Sequence, residues 1–194
     1  MMNSDTSLDK RFAYVYKDGG RPIREASQML PGKAIQWTST DDPETLARRR
    51  RDCAWASNYE GHIDGHKKEL QLIAHLRAFG GDEVCMPELF EEDVCEILER
   101  GQLWYGDHSR MVKGRPSDCH RNSCVLWEKN KAEKEIAIAT GYALSKDGLW
   151  RQHSWLVLRN LRSVEVIETT VKRIAYFGFV MTHDEADEFC RNNF

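Results

Sequence analysis

The chain has 194 residues with 28 basic and 31 acidic side chains, which gives a formal net charge of −3 at pH 7. This near balance argues against a general nucleic-acid-binding or anionic-membrane-binding protein, because both partners attract an excess of lysine and arginine. Hydrophobic residues make up 41% and aromatic residues 10% of the chain, a composition that supports a folded core and lies outside the disordered range.

The sequence predicts no membrane span and no secretory signal. No stretch approaches the roughly 18 consecutive apolar residues of a transmembrane helix. The opening residues, MMNSDTSLDKRFAYVYKDGGRP, lack the apolar segment of a signal peptide. The six cysteines do not have the regular spacing of a disulfide scaffold: Cys53, Cys85, Cys95, Cys119, Cys124 and Cys190. We therefore expect a cytoplasmic protein with reduced thiols.

The first part of the chain is predicted to be irregular and then helical. Turn-forming residues dominate positions 1–40, where one short strand is expected around Phe12–Tyr16. Three helices follow, predicted from caps and from apolar residues at helical spacing: one that begins at Pro43 and carries the Arg48–Arg51 run, one over His62–Phe79 and one over Pro87–Leu98. Gly80-Gly81 and Gly101 end the second and third helices.

The remainder changes from helical to strand periodicity. A loop over residues 106–116 leads into a predicted helix from Cys119 to Lys131. Four strands rich in β-branched and aromatic residues are then predicted: Ile138–Leu144, Trp150–Leu158, Val164–Thr170 and Arg173–Met181. A short helix over Asp184–Asn192, capped at Thr182, completes the pattern. Helices followed by an antiparallel meander predict an α+β fold.

The second and third of these strands suggest a buried histidine–carboxylate pair. If Asn160 and Leu161 form a two-residue hairpin loop, His153 lies directly across from Glu168. The neighbouring cross-strand pairs then form one apolar face: Trp155 with Val166, and Val157 with Val164. A polar pair beside such a face costs free energy unless each partner satisfies the other. An Asp147-Gly148 turn would bring Tyr142 beside His153 from the strand on the other side.

Cys119 has the sequence environment of an activated thiol. A nucleophilic cysteine must be a thiolate, and a helix N-terminus and a histidine neighbour both lower the pKa of a thiol. Cys119 stands where a loop with glycine and proline enters a helix, and backbone N–H groups there would also stabilise an oxyanion. Cys124 points to a different face of the same helix, so Cys119 is the better candidate nucleophile.

These residues fall into a pattern that resembles the papain-like cysteine hydrolases and acyltransferases. It spans about residues 117–180 and consists of Cys119-His-Arg-Asn122-Ser, Gly-Tyr142-Ala, His153-Ser-Trp155, Glu168-Thr-Thr and Tyr176-Phe-Gly178. The resemblance implies a papain-like fold in which N-terminal helices and a nucleophile-bearing helix pack on an antiparallel β-meander. It divides the chain into residues 1–105, an irregular and helical region, and residues 106–194, the catalytic core, within one compact unit.

The resemblance also implies the chemistry. His153 takes the proton of Cys119, Glu168 orients His153, and the thiolate forms an acyl-enzyme from an amide, isopeptide or related acyl bond of a protein, peptide or small amide substrate. Papain-like enzymes often carry an oxyanion glutamine shortly before the nucleophile. Positions 113–118 hold none, so Gln102, together with Asn122 and Tyr142, is the candidate for a supporting or oxyanion role. No cofactor is implied, and the oligomeric state is not indicated.

Two alternatives remain open at the level of sequence. The first is a non-catalytic interaction protein with the same fold and a silent site, which uses its N-terminal helices as the contact surface. The second is a metal-binding protein that uses His62 and His66, spaced i, i+4 with Glu69 one turn on, or the region of Cys119, His120 and Cys124. The HIDGH spacing lacks the glutamate of a metalloprotease helix, and a polar helix face explains it as well.

Overall fold

The computed structural model describes residue 35 and residues 42–56, 67–86, 93–132, 135–159 and 164–194. The described helices are α1 (Pro43–Ala56), α2 (Lys67–Phe79), α3 (Val94–Arg100), α4 (Cys119–Asn130) and α5 (His183–Asn193). The described strands are β1 (Glu83–Cys85), β2 (Gln102–Tyr105), β3 (Arg110–Met111), β4 (Ile136–Leu144), β5 (Leu149–Arg159), β6 (Val164–Glu168) and β7 (Ala175–Val180). A 3₁₀ turn over Gly106–His108 lies between β2 and β3.

The described strands form one mixed sheet in the order β2-β7-β4-β5-β6-β3, with β1 paired to β5 outside this path. The predicted α+β class is confirmed. The simple antiparallel meander is not the whole architecture, because β7 returns to pair with β4. In addition, β1 pairs in parallel with β5, and β3 pairs in parallel with β6. These short strands escaped prediction since three or fewer residues give no readable alternation.

The two faces of the sheet carry different clusters. One face packs against the helices and includes Leu72 and Trp127 together with Ile138 and Leu156 of the central strands. The other face holds a smaller cluster of mostly aromatic and small residues: Trp104, Ala139, Ala143, Trp155, Val157, Val166 and Tyr176. Since successive strand residues alternate between faces, His153 shares the second face with Trp155 and Val157.

On one edge of β5, strand β1 pairs with its beginning and strand β6 pairs with its end, which leaves a gap between them. Its first residues pair with β1 as far as Arg151, and its last residues pair with β6 from Leu156 onward. Among the described strands, residues 152–155 therefore pair only with β4 on the opposite side. A backbone segment without a strand partner is open to other groups, and His153 lies in the middle of it.

Several element predictions are confirmed. Helix α1 begins at Pro43, α4 begins at Cys119, and α5 has a capping box in which Thr182 and Glu185 satisfy each other's backbone N–H. Helix α2 ends at Phe79, where Gly80 and Gly81 adopt positive φ angles. The predicted strand at Phe12–Tyr16, the start of the second helix and residues 87–92 of the third lie outside the described residues.

The predicted register of β5 and β6 is wrong by two positions. Val157 pairs with Val166, and Arg159 pairs with Val164, so four residues and not two separate the paired positions. A shift of two keeps every side chain on its original face, whereas a shift of one would reverse the faces. His153 and Glu168 therefore still share a face, offset along it.

The predicted position of Tyr142 is wrong. Ser145 N–H donates to Leu149 O at 3.0 Å, and Gly148 has a φ of 80°, so a three-residue loop joins β4 to β5. This one-residue difference places Gly141 opposite His153 and turns Tyr142 to the helix-covered face. There its hydroxyl donates to Met86 Sδ at 3.3 Å.

The division at residue 105 stays a prediction, although β1 and β2 from the first region are strands of the common sheet. No helix within the described part of the chain has both the length and the apolar character needed to cross a bilayer.

Candidate active site

Cys119 is the first residue of α4, at the end of a loop with unusual backbone geometry. Ser117 has a φ of 57°, the left-handed region that non-glycine residues seldom adopt. Asp118 precedes the helix without capping it through its side chain. The first N–H groups of a helix have no acceptor within the helix, so they are available to a thiolate or an oxyanion. The half-buried Cys119 thiol thus lies at a helix start.

The thiol reaches the open segment of β5. Its hydrogen-bond partners include the His153 side chain and the backbone N–H groups of Ser154 and His120. On that edge no described strand pairs with Ser154, so its backbone N–H can face Cys119. The gap between β1 and β6 is therefore what admits the nucleophile to the sheet.

His153 bridges Cys119 and a buried carboxylate. Its Nε2 lies 2.9 Å from Glu168 Oε2, and both side chains are almost completely buried. With Nε2 engaged by the carboxylate, Nδ1 is the ring nitrogen left for Cys119. An imidazole that donates from Nε2–H to a carboxylate keeps Nδ1 unprotonated and able to accept the thiol proton.

Aromatic rings flank the imidazole. Trp155 and Tyr176 lie nearly parallel to the His153 ring, with centroids at 6.3 and 6.2 Å. These rings exclude water from the bond between His153 and Glu168, and charge interactions are stronger where water is excluded.

Five hydrogen bonds hold the carboxylate of Glu168. Oε2 accepts from His153 and from the Tyr176 hydroxyl at 3.0 Å, while Oε1 accepts from the Thr169 N–H, the Thr170 N–H and the Thr170 hydroxyl. Burial alone would raise the pKa of Glu168, but His153 and the Thr170 donors lower that pKa to about 2. The carboxylate is therefore ionised and fixed.

The pKa values of Cys119 and His153 shift in opposite directions. Burial raises the pKa of Cys119, but the hydrogen bond and charge of His153 and the backbone donors outweigh it, so the net pKa is lowered. Burial lowers the pKa of His153, but hydrogen bonds to Cys119 and Glu168 outweigh it, so the net pKa is raised. Opposite shifts in the two partners bring the thiol pKa toward that of the imidazole.

The structure thus brings Cys119, His153 and Glu168 together, whereas the side chains of Tyr142 and Asn122 are engaged elsewhere. Tyr142 lies on the opposite face. Asn122 holds the preceding loop: its Oδ1 accepts from Arg115 N–H at 3.0 Å and its Nδ2 donates to Arg115 O at 2.8 Å. Gln102 lies on β2, three strands from β5 in the order of the sheet.

Gln102 nevertheless shares a cross-strand row with His153. Gly178 pairs with Gln102 on one side and with Gly141 on the other, and Gly141 pairs with His153. A Cβ on Gly178 would lie 2.0 Å from Thr140 O, and a Cβ on Gly141 would lie 2.3 Å from Phe177 O. Close backbone approach requires glycine at both positions, and the row has no side chains between its ends.

Two polar contacts near the thiol were not predicted from the sequence. Tyr176 was noted only as part of a motif, yet it is a second donor to Glu168 Oε2. His120 Nδ1 lies 2.7 Å from Ser154 Oγ, which lies 3.0 Å from Thr140 Oγ1. Burial and the charge of His153 lower the pKa of His120, which keeps it neutral beside the site.

The described residues contain no side-chain cluster that supports the metal-binding alternatives. Among the described residues, no group of three or more His, Cys, Asp or Glu side chains could hold an ion. His62 and His66 lie outside the described residues. Cys124 forms a thiol hydrogen bond with Cys190, away from Cys119. Cys85 is disulfide-bonded, so the expectation that every cysteine is reduced is wrong for this residue.

No protein-family model matches the chain, and neither a curated protein nor a solved structure matches it.

Proposed function

We propose that the protein is a thiol-dependent hydrolase or acyltransferase that acts on an amide, isopeptide or related acyl bond. One observation carries the proposal: Cys119 at a helix start, His153 and the ionised Glu168 form a continuous chain of hydrogen bonds. A buried structural cysteine needs neither a lowered pKa nor a histidine held by a carboxylate.

Acylation begins from the thiolate–imidazolium pair. The sulfur of Cys119 forms a bond to the acyl carbon, and the carbonyl oxygen takes up the negative charge. His153 then gives its Nδ1 proton to the leaving amine as the bond from carbon to nitrogen breaks. Glu168 stays ionised throughout and stabilises the imidazolium through Nε2.

The oxyanion donor that the helix supports best is the backbone N–H of Cys119. As the first residue of α4 it has no acceptor within the helix. The backbone N–H groups of Ser154 and His120 donate hydrogen bonds to the thiolate before attack, so they offset the free-energy cost of burying its charge.

Deacylation reverses these roles. Nδ1 of neutral His153 takes a proton from water or from an acceptor amine, the nucleophile attacks the thioester, and the thiolate of Cys119 leaves. Hydrolysis, deamidation and transfer share this acyl-enzyme, so the triad supports all three.

We also infer a papain-like arrangement of the core. The order of nucleophile, histidine and carboxylate along the chain, and the use of Nδ1 for the thiol, support it. A cytoplasmic location stays a prediction, and the disulfide at Cys85 is more typical of an oxidising compartment.

Acyl-enzyme formation tests the proposal. The full-length protein is mixed with an activated ester of a short acyl group, and its intact mass is followed with and without hydroxylamine. We expect one acyl group on Cys119, released by hydroxylamine as a thioester is, and absent in Cys119→Ala. Cys95→Ala is the matched control, because Cys95 is a free, half-buried cysteine on α3. Equal acylation of Cys119→Ala, or none in the wild type, would refute the proposal.

A further inference from the structure

A groove of about 440 Å³ lies along α4, the helix that begins with the proposed nucleophile. One wall is the outward stripe of α4, where Arg121, Asn122, Val125, Leu126 and Lys129 recur at helical spacing. Residues 112–115 form the other wall, and Thr169, whose backbone N–H donates to Glu168 Oε1 at 2.8 Å, also lines the groove. Asp118, the residue that directly precedes Cys119 at the start of α4, also lines the groove, so the groove reaches the end of the helix that carries the proposed nucleophile.

Backbone hydrogen bonds hold the groove open. Val112 N–H donates to Glu168 O at 2.9 Å, and Gly114 N–H donates to Thr169 O at 2.8 Å. The Asn122 amide fastens Arg115 to α4. A Cβ on Gly114 would lie 2.4 Å from Asn122 Cγ, so glycine permits this close contact. The walls are therefore formed before a ligand arrives, which lowers the entropic cost of binding.

The lining of the groove combines basic side chains with exposed apolar surface. Four exposed basic side chains line it against the single carboxylate of Asp118: Lys113, Arg115, Arg121 and Lys129. None of the four takes part in an ion pair with another described residue, in contrast to Arg100 and Arg151. Val112 and Val125, one on each wall, are 38% and 36% exposed, and the buried hydroxyl of Thr169 has no hydrogen-bond partner among the described residues.

We propose that this groove binds an acidic segment of a polypeptide substrate and so sets the specificity of the acyl transfer at Cys119. The inference rests on the proposed function. Unpaired cations around apolar surface complement carboxylate side chains with aliphatic stems, such as glutamate. The groove is a bounded concavity of the size of a few side chains, whereas a nucleic-acid backbone requires a continuous basic track.

Peptide binding tests the inference apart from catalysis. Matched fluorescent peptides that carry Glu, Gln or Lys at the same positions are titrated against full-length Cys119→Ala, with fluorescence anisotropy as the readout. We expect the Glu peptide to bind at least about tenfold more tightly than the Gln peptide, with a preference that weakens as salt rises. The Lys peptide should bind most weakly.

Charge variants assign the preference to the groove. In the Cys119→Ala background, Arg121→Glu with Lys129→Glu should abolish the preference for Glu, and the milder Arg121→Gln with Lys129→Gln should reduce it. Lys146→Glu, an exposed charge reversal in the β4–β5 loop outside the groove, should leave it unchanged. Thermal melts check that each variant is folded.

The possible outcomes separate the role of the groove from the proposed acyl chemistry at Cys119. Equal affinity for the three peptides, or the same loss in Lys146→Glu, overturns the inference. Tighter binding of a single-stranded oligonucleotide, lost in the same double variant, also overturns it in favour of nucleic acid. Acyl-enzyme formation without any peptide preference contradicts only the groove, whereas peptide preference without acylation of Cys119 contradicts only the proposed function.

Discussion

Replacing Glu168 by glutamine removes one charge from the proposed triad with almost no change in shape. The two carboxylate oxygens have different surroundings, and this decides how the amide must sit. Oε1 accepts two backbone N–H groups, from Thr169 and Thr170, which cannot become acceptors. Oε2 faces a tyrosine hydroxyl and an imidazole, both of which can change from donor to acceptor. The amide nitrogen therefore takes the Oε2 position.

This orientation forces His153 into the wrong tautomer. An amide N–H at that position requires Nε2 to accept, so the ring proton of neutral His153 moves to Nδ1, where it can no longer receive the thiol proton. An analogous wrong tautomer in a serine protease triad lowers turnover by about 10⁴. We expect a fall of roughly 10³–10⁴ in the rate of acylation.

The pKa values of the pair should respond together. Without the charge of Glu168 the raised pKa of His153 falls, and the pKa of Cys119, which depends on His153, rises toward that of an ordinary thiol. The assay is the rate of alkylation of Cys119 by iodoacetamide as a function of pH, read by peptide mass spectrometry. At pH 6 an ordinary thiol with a pKa of ~8.5 is only about 0.3% ionised. We expect alkylation of the variant at this pH to be at least about tenfold slower than that of the wild type.

The matched control is Glu165→Gln on the same strand. Glu165 is partly exposed and forms a 3.7 Å ion pair with Arg110, so its loss should leave the alkylation profile unchanged. An unaltered profile in Glu168→Gln, or an equal shift in both variants, would show that the carboxylate does not control the thiol.

Substitutions of Tyr176 and Gly178, and the dependence of stability on acid pH, test the contacts around Glu168 and the glycine row. Tyr176→Phe removes one of two donors to Glu168 Oε2 and keeps the ring, so we expect a loss of about 1 kcal/mol in the free energy of unfolding and at most about a tenfold fall in acylation rate. Gly178→Ala places a Cβ 2.0 Å from Thr140 O, so we expect a loss of about 3 kcal/mol or more in denaturant unfolding, against little change for the exposed-turn variant Lys146→Ala. Glu168 has a lowered pKa of about 2, so its ionisation should stabilise the fold fully above pH ~4.5 and progressively less as pH falls toward 2. The free energy of unfolding of buffer-matched Glu168→Gln should therefore fall less steeply over this range, since only carboxylates such as Asp147 and Glu185 still contribute.

The sequence was sufficient to predict which face of the sheet carries the site. Strand side chains alternate with a period of two, so the prediction that His153 and Glu168 share a face survived a register error of two positions. The same logic failed for Tyr142, where an error of one residue in the loop reversed the face. Loop length is set by local backbone geometry, which the dipeptide Asp147-Gly148 indicates but does not determine.

Contacts between strands that are distant in the sheet could not be predicted. Tyr176 of β7 reaches Glu168 of β6 although β4 and β5 lie between these strands. This contact requires a sheet that curls so that the face with Trp155 is concave, and curvature has no signature in a single sequence. The gap between β1 and β6 likewise arises from a three-residue strand that is too short to recognise.

The proposed mechanism requires Cys119 to be a thiolate paired with imidazolium, and a titration of the Cys119 thiol tests this directly. The ultraviolet absorbance of thiolate is measured against pH for the wild type and for Cys119→Ala, and the difference isolates this one thiol. We expect a midpoint well below the ~8.5 of an ordinary cysteine, shifted upward in Glu168→Gln. A midpoint at or above the ordinary value in the folded wild-type protein would contradict it.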